Sequence, residues 1–177
     1  MSLLSEVLRV LEREKAPTAL IGAAALAIHG VSRSTADTDL LCLDAAILRP
    51  GVWAGLQAPG RQIRIVKGEP EDPLAGSVRL GEGSEIVDVV VGRHAWQRDI
   101  IEAAEPLSLG EVRIKVARPA ALVLLKLDVG GPKDAWDIRA LLEVSPDPEA
   151  VRVEVEGVLP RLSEDARRLW VRLRTEG

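Results

Sequence analysis

The sequence predicts a mixed α/β (α+β) protein, in which a mixed β-sheet flanked by helices is followed by an all-helical C-terminal segment. Two observations predict this class. As far as residue 116, short apolar runs suited to strands alternate with amphipathic helical patterns. Beyond residue 118 the apolar residues recur at helical spacing to the end of the chain. We therefore expect a core over residues 1–116 and a helical segment over residues 117–177 that packs on it.

In the first half of the core, the sequence predicts a helix, a buried strand, a second helix and a second strand. Leu4, Val7 and Leu8 recur at helical spacing, so the first helix covers residues 2–15. A strand over 18–21 meets Gly22, which begins a turn, and the alanine-rich helix that follows over 23–29 ends at Gly30. The second strand covers residues 38–43.

In the rest of the core, the sequence predicts strands joined by short helices and loops. Residues 44–57 are helical in part, because Pro50-Gly51 interrupts them, and residues 68–76 form a loop. The remaining predicted elements are strands over 62–66, 77–80 and 85–91, a helix over 95–104, and a hairpin over 107–116 that turns at Gly110.

In the C-terminal segment, the sequence predicts four helices. The first covers residues 119–129 and stops at Gly130-Gly131, and the second runs from Pro132 to about residue 142. Asp147-Pro148 supplies an N-cap followed by a proline at the first helical position, and Ser163 caps the last helix.

Composition and charge exclude several functions. The 177 residues carry a formal net charge of −4, which argues against a protein that coats nucleic acid through a basic surface. Cys42 is the single cysteine, so no intramolecular disulfide forms and a reducing compartment fits. The N-terminus is typical of an amphipathic helix rather than a signal peptide, and no apolar stretch is long enough for a bilayer. We expect a cytoplasmic protein with no membrane partner.

Three aspartates form the candidate site. Asp37 and Asp39 are spaced i, i+2 and point the same way if both lie in the strand. Asp88 interrupts an otherwise apolar strand, where a carboxylate is costly unless a cation or hydrogen-bond donors compensate it. If the two strands are neighbours, the three carboxylates converge and suit one or two Mg²⁺ (or Mn²⁺) ions. The alternative is that Asp37 and Asp39 form a turn, because an aspartate before a strand is common there.

These motifs resemble the minimal nucleotidyltransferase pattern of the DNA polymerase beta superfamily. The resemblance rests on Leu20-Ile-Gly-Ala, on the run from His29 to Leu40 that contains Arg-x-Thr-x-Asp-x-Asp, and on Val87-Asp-Val. The residue pattern of the second motif is most similar to that of the toxin nucleotidyltransferases of the AbiEii type, whose helical segment is similar to residues 124–142. The match covers most of residues 17–142.

The resemblance implies roles for individual residues. Metal binding and catalysis fall to Asp37, Asp39 and Asp88. The triphosphate would be bound by Gly22, by the following backbone at Ala23 and by Lys126. Arg33 and Thr35 would bind phosphates or position the loop that carries Asp37 and Asp39. The superfamily usually has Gly or Ser after the first glycine, and Ala23 keeps the backbone N–H but lacks a hydroxyl and freedom at positive φ. Phosphate binding is therefore expected to be weakened or rearranged.

Some of these side chains also suit a structural role. From its helix alone, Lys126 either extends along apolar surface to solvent or binds an anion. Lys133 and Asp137 are spaced i, i+4 and suit an exposed ion pair on a helix surface as well as the superfamily's motif.

The resemblance implies a metal-dependent enzyme that moves a nucleoside monophosphate (NMP) from a nucleoside triphosphate (NTP) to a hydroxyl. The acceptor would be a tRNA end, a protein or a small molecule, and the toxin-like motif fits a toxin–antitoxin pair with an antitoxin partner. The alternative is an inactive module of the same fold that binds a nucleotide or a partner protein. A third hypothesis is a structural protein in which the acidic side chains only cap helices or turns and form ion pairs.

Overall fold

The computed structural model describes residues 2–32, 37–110 and 112–175. It confirms the predicted mixed α/β class, with one seven-stranded sheet and helices against it. The helices are α1 (Leu3–Arg13), α2 (Gly22–Ile28), α3 (Trp96–Ala103), α4 (Pro119–Val129), α5 (Pro132–Val144), α6 (Pro148–Val158) and α7 (Glu164–Thr175). The strands are β1 (Thr18–Ile21), β2 (Asp37–Cys42), β3 (Arg61–Lys67), β4 (Leu74–Glu82), β5 (Glu85–Gly92), β6 (Glu105–Leu109) and β7 (Val112–Val116).

The sheet is mixed and has the strand order β3-β4-β5-β2-β1-β7-β6. The β2–β5 and β1–β7 pairs are parallel, and the other neighbours are antiparallel. The strand of Asp88 therefore lies directly beside the strand of Asp39, which is the arrangement that convergence of the carboxylates requires.

One transverse row of paired residues crosses the centre of the sheet. Ile21 lies opposite Asp39, Asp39 opposite Asp88, Asp88 opposite Arg79, and Arg79 opposite Arg64. Residues directly opposite each other on neighbouring strands point to the same face. The row therefore places two carboxylates and two guanidinium groups on one face of the sheet.

The opposite face of β4 and β5 is buried under α1. Val78 and Val89 are inaccessible to solvent, and α1 contacts both strands. Arg61 ties this layer together, because its guanidinium pairs with Glu6 of α1 at 2.7 Å and with Glu82 of β4 at 2.5 Å.

The helical segment packs around α4, which contacts α5, α6 and α7 and also α2 of the core. Gly130 ends α4 with φ of +76°, as the sequence predicts for a glycine stop. His29, the residue that ends α2, places Nε2 2.8 Å from the carbonyl oxygen of Ala117, so α2 is attached to the start of this segment. The division into a core over 1–116 and a segment over 117–177 remains a prediction.

Two element predictions differ from the structure. Residues 44–57 form two 3₁₀ helices, Ala45–Leu48 and Pro50–Leu56, because Pro50 begins a new turn where a continuous helix would need its backbone N–H. Strand β4 begins at Leu74, inside the predicted loop, because Gly76 adopts φ of +154° and absorbs a shift in register between β4 and β5.

Candidate active site

The turn after β1 and the carboxylate of Asp39 are in direct contact. Strand β1 ends at Ile21, opposite Asp39, and the chain turns into α2 at Gly22 with φ of +66°. A Cβ atom at Gly22 would overlap Oδ2 of Asp39. Glycine is therefore needed at this position for its backbone angle and for the space that the carboxylate occupies.

Asp39 and Asp88 form a close pair of carboxylates on the two parallel strands. Burial raises the pKa of Asp39 above 3.8, and the charges of Asp88 and Asp37 raise it further, while Lys126 and Arg79 act in the opposite direction. The charges of Asp37 and Asp88 therefore lie near enough to Asp39 to repel it. A cation between these groups would relieve that repulsion.

Arg79 supplies such a positive charge from β4. Its guanidinium donates to Oδ2 of Asp88 at 2.7 Å and to Oδ2 of Asp37 at 3.1 Å. Burial raises the pKa of Asp88, and Arg79 acts against that rise. The sequence alone does not single out Arg79, because a lone arginine at an alternating position is typical of a solvent-exposed strand face.

Lys126 is held by two carboxylates of α5. Its Nζ atom lies 2.7 Å from Oδ1 of Asp134 and 2.7 Å from Oδ2 of Asp137. Burial acts to lower the pKa of Lys126, but the hydrogen bonds and charges of Asp134 and Asp137 outweigh it and the net shift is upward. The interpretation of Lys133 and Asp137 as an exposed pair is wrong, because Asp137 is fully buried against α4 in contact with Lys126.

Three further predicted residues, Ala23, Arg33 and Thr35, follow Gly22 in the sequence. Ala23 is half-buried in the first turn of α2, directly after Gly22. Arg33 and Thr35 lie outside the described residues. The assignment of Ala23, Arg33 and Thr35 to phosphate binding stays a prediction.

The carboxylates suit a divalent cation by their chemistry. Mg²⁺ prefers carboxylate oxygens and keeps several waters, so one or two carboxylates with substrate phosphates suffice for it. Among residues 2–32, 37–110 and 112–175, no group of three or more acidic, histidine or cysteine side chains is already arranged as a metal cluster. Arg79 pairs with two of the three aspartates instead. That Asp37, Asp39 and Asp88 are metal ligands therefore stays a prediction.

Comparison with known proteins identifies the fold. Neither a scan against protein-family models nor a search of curated proteins gives a match. The crystal structure of ANT(2″)-Ia with adenylyl-2″-tobramycin matches with a TM-score of 0.56 and 18% identity, over 90% of this chain and 96% of that one. The solution structure of the same antibiotic-resistance factor matches with a TM-score of 0.52 and 15% identity, over 90% of both chains.

A second nucleotidyltransferase has the same fold. The lincosamide antibiotic adenylyltransferase LnuA, bound to lincomycin, matches with a TM-score of 0.52 and 16% identity, over 80% of this chain and 96% of that one. The chain therefore has the nucleotidyltransferase fold, and the expectation that the motif resemblance gave for the fold is confirmed. Its closeness to the AbiEii-type toxins remains a prediction.

In the part of the chain that the structure describes, every helix is too short or too polar to cross a bilayer.

Proposed function

We propose that this protein is a metal-dependent nucleotidyltransferase, which moves an NMP from an NTP to a hydroxyl group and releases pyrophosphate. One observation carries the proposal. Gly22 begins a turn at positive φ in contact with Asp39, and Asp88 lies directly opposite Asp39 on the neighbouring strand. A phosphate-binding turn beside paired carboxylates is the arrangement that nucleotidyl transfer needs.

The aspartates divide the chemistry between them. Asp37 and Asp39 would hold Mg²⁺ or Mn²⁺, and Asp88 would hold a second ion or take the proton of the acceptor hydroxyl. The cation, when bound, neutralises charge on the phosphates and lowers the pKa of the hydroxyl. Burial raises the pKa of Asp88, which makes its carboxylate a better proton acceptor.

The turn and its neighbours would bind the triphosphate. The backbone N–H groups of Gly22 and Ala23 belong to the first turn of α2, where the N–H groups lack partners within the helix, and we assign Arg33 and Thr35 to the same phosphates on the strength of the motif. Lys126 acts on Asp39 through its charge while Asp134 and Asp137 hold its ammonium. We propose that Lys126 keeps this orientation and attracts the triphosphate as a positive charge.

The acceptor is a hydroxyl compound, for which a tRNA end, a protein side chain and a small molecule are the candidates. The two adenylyltransferases of this fold carry an adenylylated antibiotic or an antibiotic in their structures, which favours a small molecule. The toxin-like motif favours a toxin–antitoxin pair with an antitoxin partner, in the cytoplasm.

A second candidate function is an inactive module of the same fold that binds a nucleotide or a partner protein. Two observations favour it. Ala23 replaces the glycine or serine that the superfamily pattern has after Gly22, and Arg79 pairs with two of the carboxylates on which metal binding would depend.

Transfer of an α-labelled NTP tests the first proposal. Wild type with Mg²⁺ or Mn²⁺ should label an acceptor, and Asp39→Ala should not. Asp165→Ala is the control, because it removes a carboxylate that is 94% exposed on α7. Equal labelling by wild type and Asp39→Ala would exclude the assignment of the site. Calorimetric NTP binding without turnover on any acceptor would favour the inactive module.

A further inference from the structure

The outer half of the Asp88 face is open to solvent. On β3 the side chains of Gln62, Arg64 and Val66 alternate with half-buried isoleucines and are exposed, with Val66 at 44%. On β4 the neighbouring Arg79 is also exposed. This surface, which we call the open face, continues directly from Asp88 to the edge of the sheet.

The two arginines of the open face differ in their partners. The charge of Arg79 is matched by Asp88 and Asp37. Arg64 lies directly opposite Arg79, and none of the residues that the structure describes forms an ion pair or a hydrogen bond with its side chain. Like charges directly opposite each other on neighbouring strands are unfavourable. Arg64 is thus an unneutralised cation beside a second cation, and an anion bound there would stabilise both.

The position of Arg64 relates it to the acceptor, and this step rests on the proposed function. In the transverse row, Ile21 lies on one side of Asp39 and is followed along the chain by the Gly22 turn, whereas Asp88, Arg79 and Arg64 lie on the other side. In phosphoryl-group displacement the attacking and leaving oxygens lie roughly in line on opposite sides of the phosphorus. With the triphosphate at the Gly22 turn, the acceptor hydroxyl approaches from the side of Asp88. The rest of the acceptor then extends over the open face.

We propose that Arg64 binds a phosphate group of the acceptor, and that the acceptor is a small hydroxyl compound that carries this phosphate. Arg64 lies two strand spacings from Asp88, which is about 10 Å between backbones. The guanidinium fork suits the oxygens of a phosphate, and its length lets it reach back toward the acceptor. This distance fits a phosphorylated sugar with its hydroxyl at Asp88 and its phosphate at Arg64.

Charge decides between acceptor classes. A nucleic-acid strand is bound by neutralising several phosphates with lysine and arginine, whereas the open face offers Arg64 and the already paired Arg79 on a chain of net charge −4. A single anionic group is therefore favoured over an RNA strand. A polycationic acceptor is disfavoured, because Arg64 would repel it.

A bond forms between the acceptor oxygen and the α-phosphorus, and the bond from the α-phosphorus to the α,β-bridging oxygen breaks. The hydroxyl proton goes to the carboxylate of Asp88. Pyrophosphate leaves with the electron pair of the broken bond.

Binding is tested first, without turnover, by NMR titration of the ¹⁵N-labelled full-length chain. The probes are ribose 5-phosphate and glucose 6-phosphate, each against its unphosphorylated sugar. Arg64→Ala is the test variant. Lys67→Ala is the matched control, since it removes one exposed cation from the same strand at a position that alternates to the other face.

We expect the phosphorylated sugars to bind wild type and Lys67→Ala alike, and Arg64→Ala about tenfold or more weakly, since a hydrogen bond to a charged group is lost. The unphosphorylated sugars should bind all three proteins equally weakly. Equal binding of a sugar and its phosphate, or equal affinity in wild type and Arg64→Ala, would overturn the proposal.

Transfer from an α-labelled NTP is then compared across three acceptor classes. Labelling of a sugar phosphate that falls in Arg64→Ala supports the proposal. Labelling only of a short RNA with a free 3′ hydroxyl, or only of an aminoglycoside, overturns it. If sugar phosphates bind through Arg64 but no class is labelled in an Asp39-dependent manner, the proposed function fails while the anion site at Arg64 is supported.

Discussion

The carboxylate of Asp39 occupies the space that a side chain at Gly22 would need. Gly22 directly follows the last residue of β1 and begins α2, and Asp39 is the third residue of the neighbouring strand β2, so their contact joins the turn to the carboxylate pair. A substitution at Gly22 therefore acts on the position of Asp39 as well as on the backbone of the turn.

Gly22→Ala should abolish nucleotidyl transfer and destabilise the fold. The new Cβ would displace the Asp39 carboxylate, and alanine at φ of +66° adds about 1–2 kcal/mol of backbone strain. Gly83→Ala is the matched control, because Gly83 has φ of +59° with nothing within 4 Å of its Cβ position. Denaturant unfolding and the transfer assay measure both effects. If both variants lose equal stability and retain transfer, the contact between Gly22 and Asp39 has no role in the site.

Asp39→Asn should stabilise the metal-free protein at neutral pH. Burial and the charges of Asp88 and Asp37 raise the pKa of Asp39 above 3.8, so the folded chain binds this proton more tightly than the unfolded chain does. The free energy of unfolding therefore falls as pH rises from about 3.8 through the raised pKa, and the loss is complete above it. Asparagine removes this loss.

The measurement is the unfolding free energy of both proteins against pH, with a chelator present. The difference between variant and wild type should be near zero below pH 3.8 and should grow to a constant value at neutral pH. A difference that does not change with pH would contradict the raised pKa that burial and the neighbouring carboxylates give Asp39.

Arg79→Ala should tighten the binding of Mn²⁺ in the absence of nucleotide. Arg79 competes with a cation for Asp88 and Asp37, and because both pairs are partly exposed the gain is a few-fold, about 1 kcal/mol or less. Arg152→Ala is the control, since it removes an arginine that pairs with Glu149 at 3.3 Å on α6. Paramagnetic relaxation of water reports bound Mn²⁺. Weaker binding in Arg79→Ala would mean that the guanidinium orients the carboxylates for the metal rather than competing with it.

The strands and helices were largely predictable because each one carries a local signal. The strand over 18–21 and the helix over 119–129 have the predicted bounds. Each is followed by a glycine, Gly22 or Gly130, whose positive φ ends the element without the help of distant contacts. The 3₁₀ helices at 45–56 and the start of β4 at Leu74 differ from the prediction. A glycine or proline inside an element is compatible with more than one backbone conformation, so the sequence did not decide between them.

Strand neighbours and long-range contacts carry no such local signal. From the sequence, Asp39 and Asp88 converge only if their strands are neighbours, and the β2–β5 pairing satisfies this condition. The bridge from Arg79 to Asp88 and the opposition of Arg64 to Arg79 depend on the register of β3, β4 and β5, which the lengths of the two connecting turns set. The periodicity of one strand cannot show which residue of another lies opposite it, so these arginines were not found.

Lys126→Met should destabilise the protein by about 3 kcal/mol, because it leaves the fully buried carboxylate of Asp137 without the charge that lies 2.7 Å from it. Lys133→Met is the matched control on the exposed side of α5 and should change stability by about 0.5 kcal/mol or less. The double variant Lys126→Met, Asp137→Leu should recover much of the loss, since it replaces both charges by apolar groups. Denaturant unfolding measures all three variants. If Lys126→Met keeps wild-type stability and only raises KM for the NTP, Lys126 serves the triphosphate alone and its contacts with α5 contribute little to the fold.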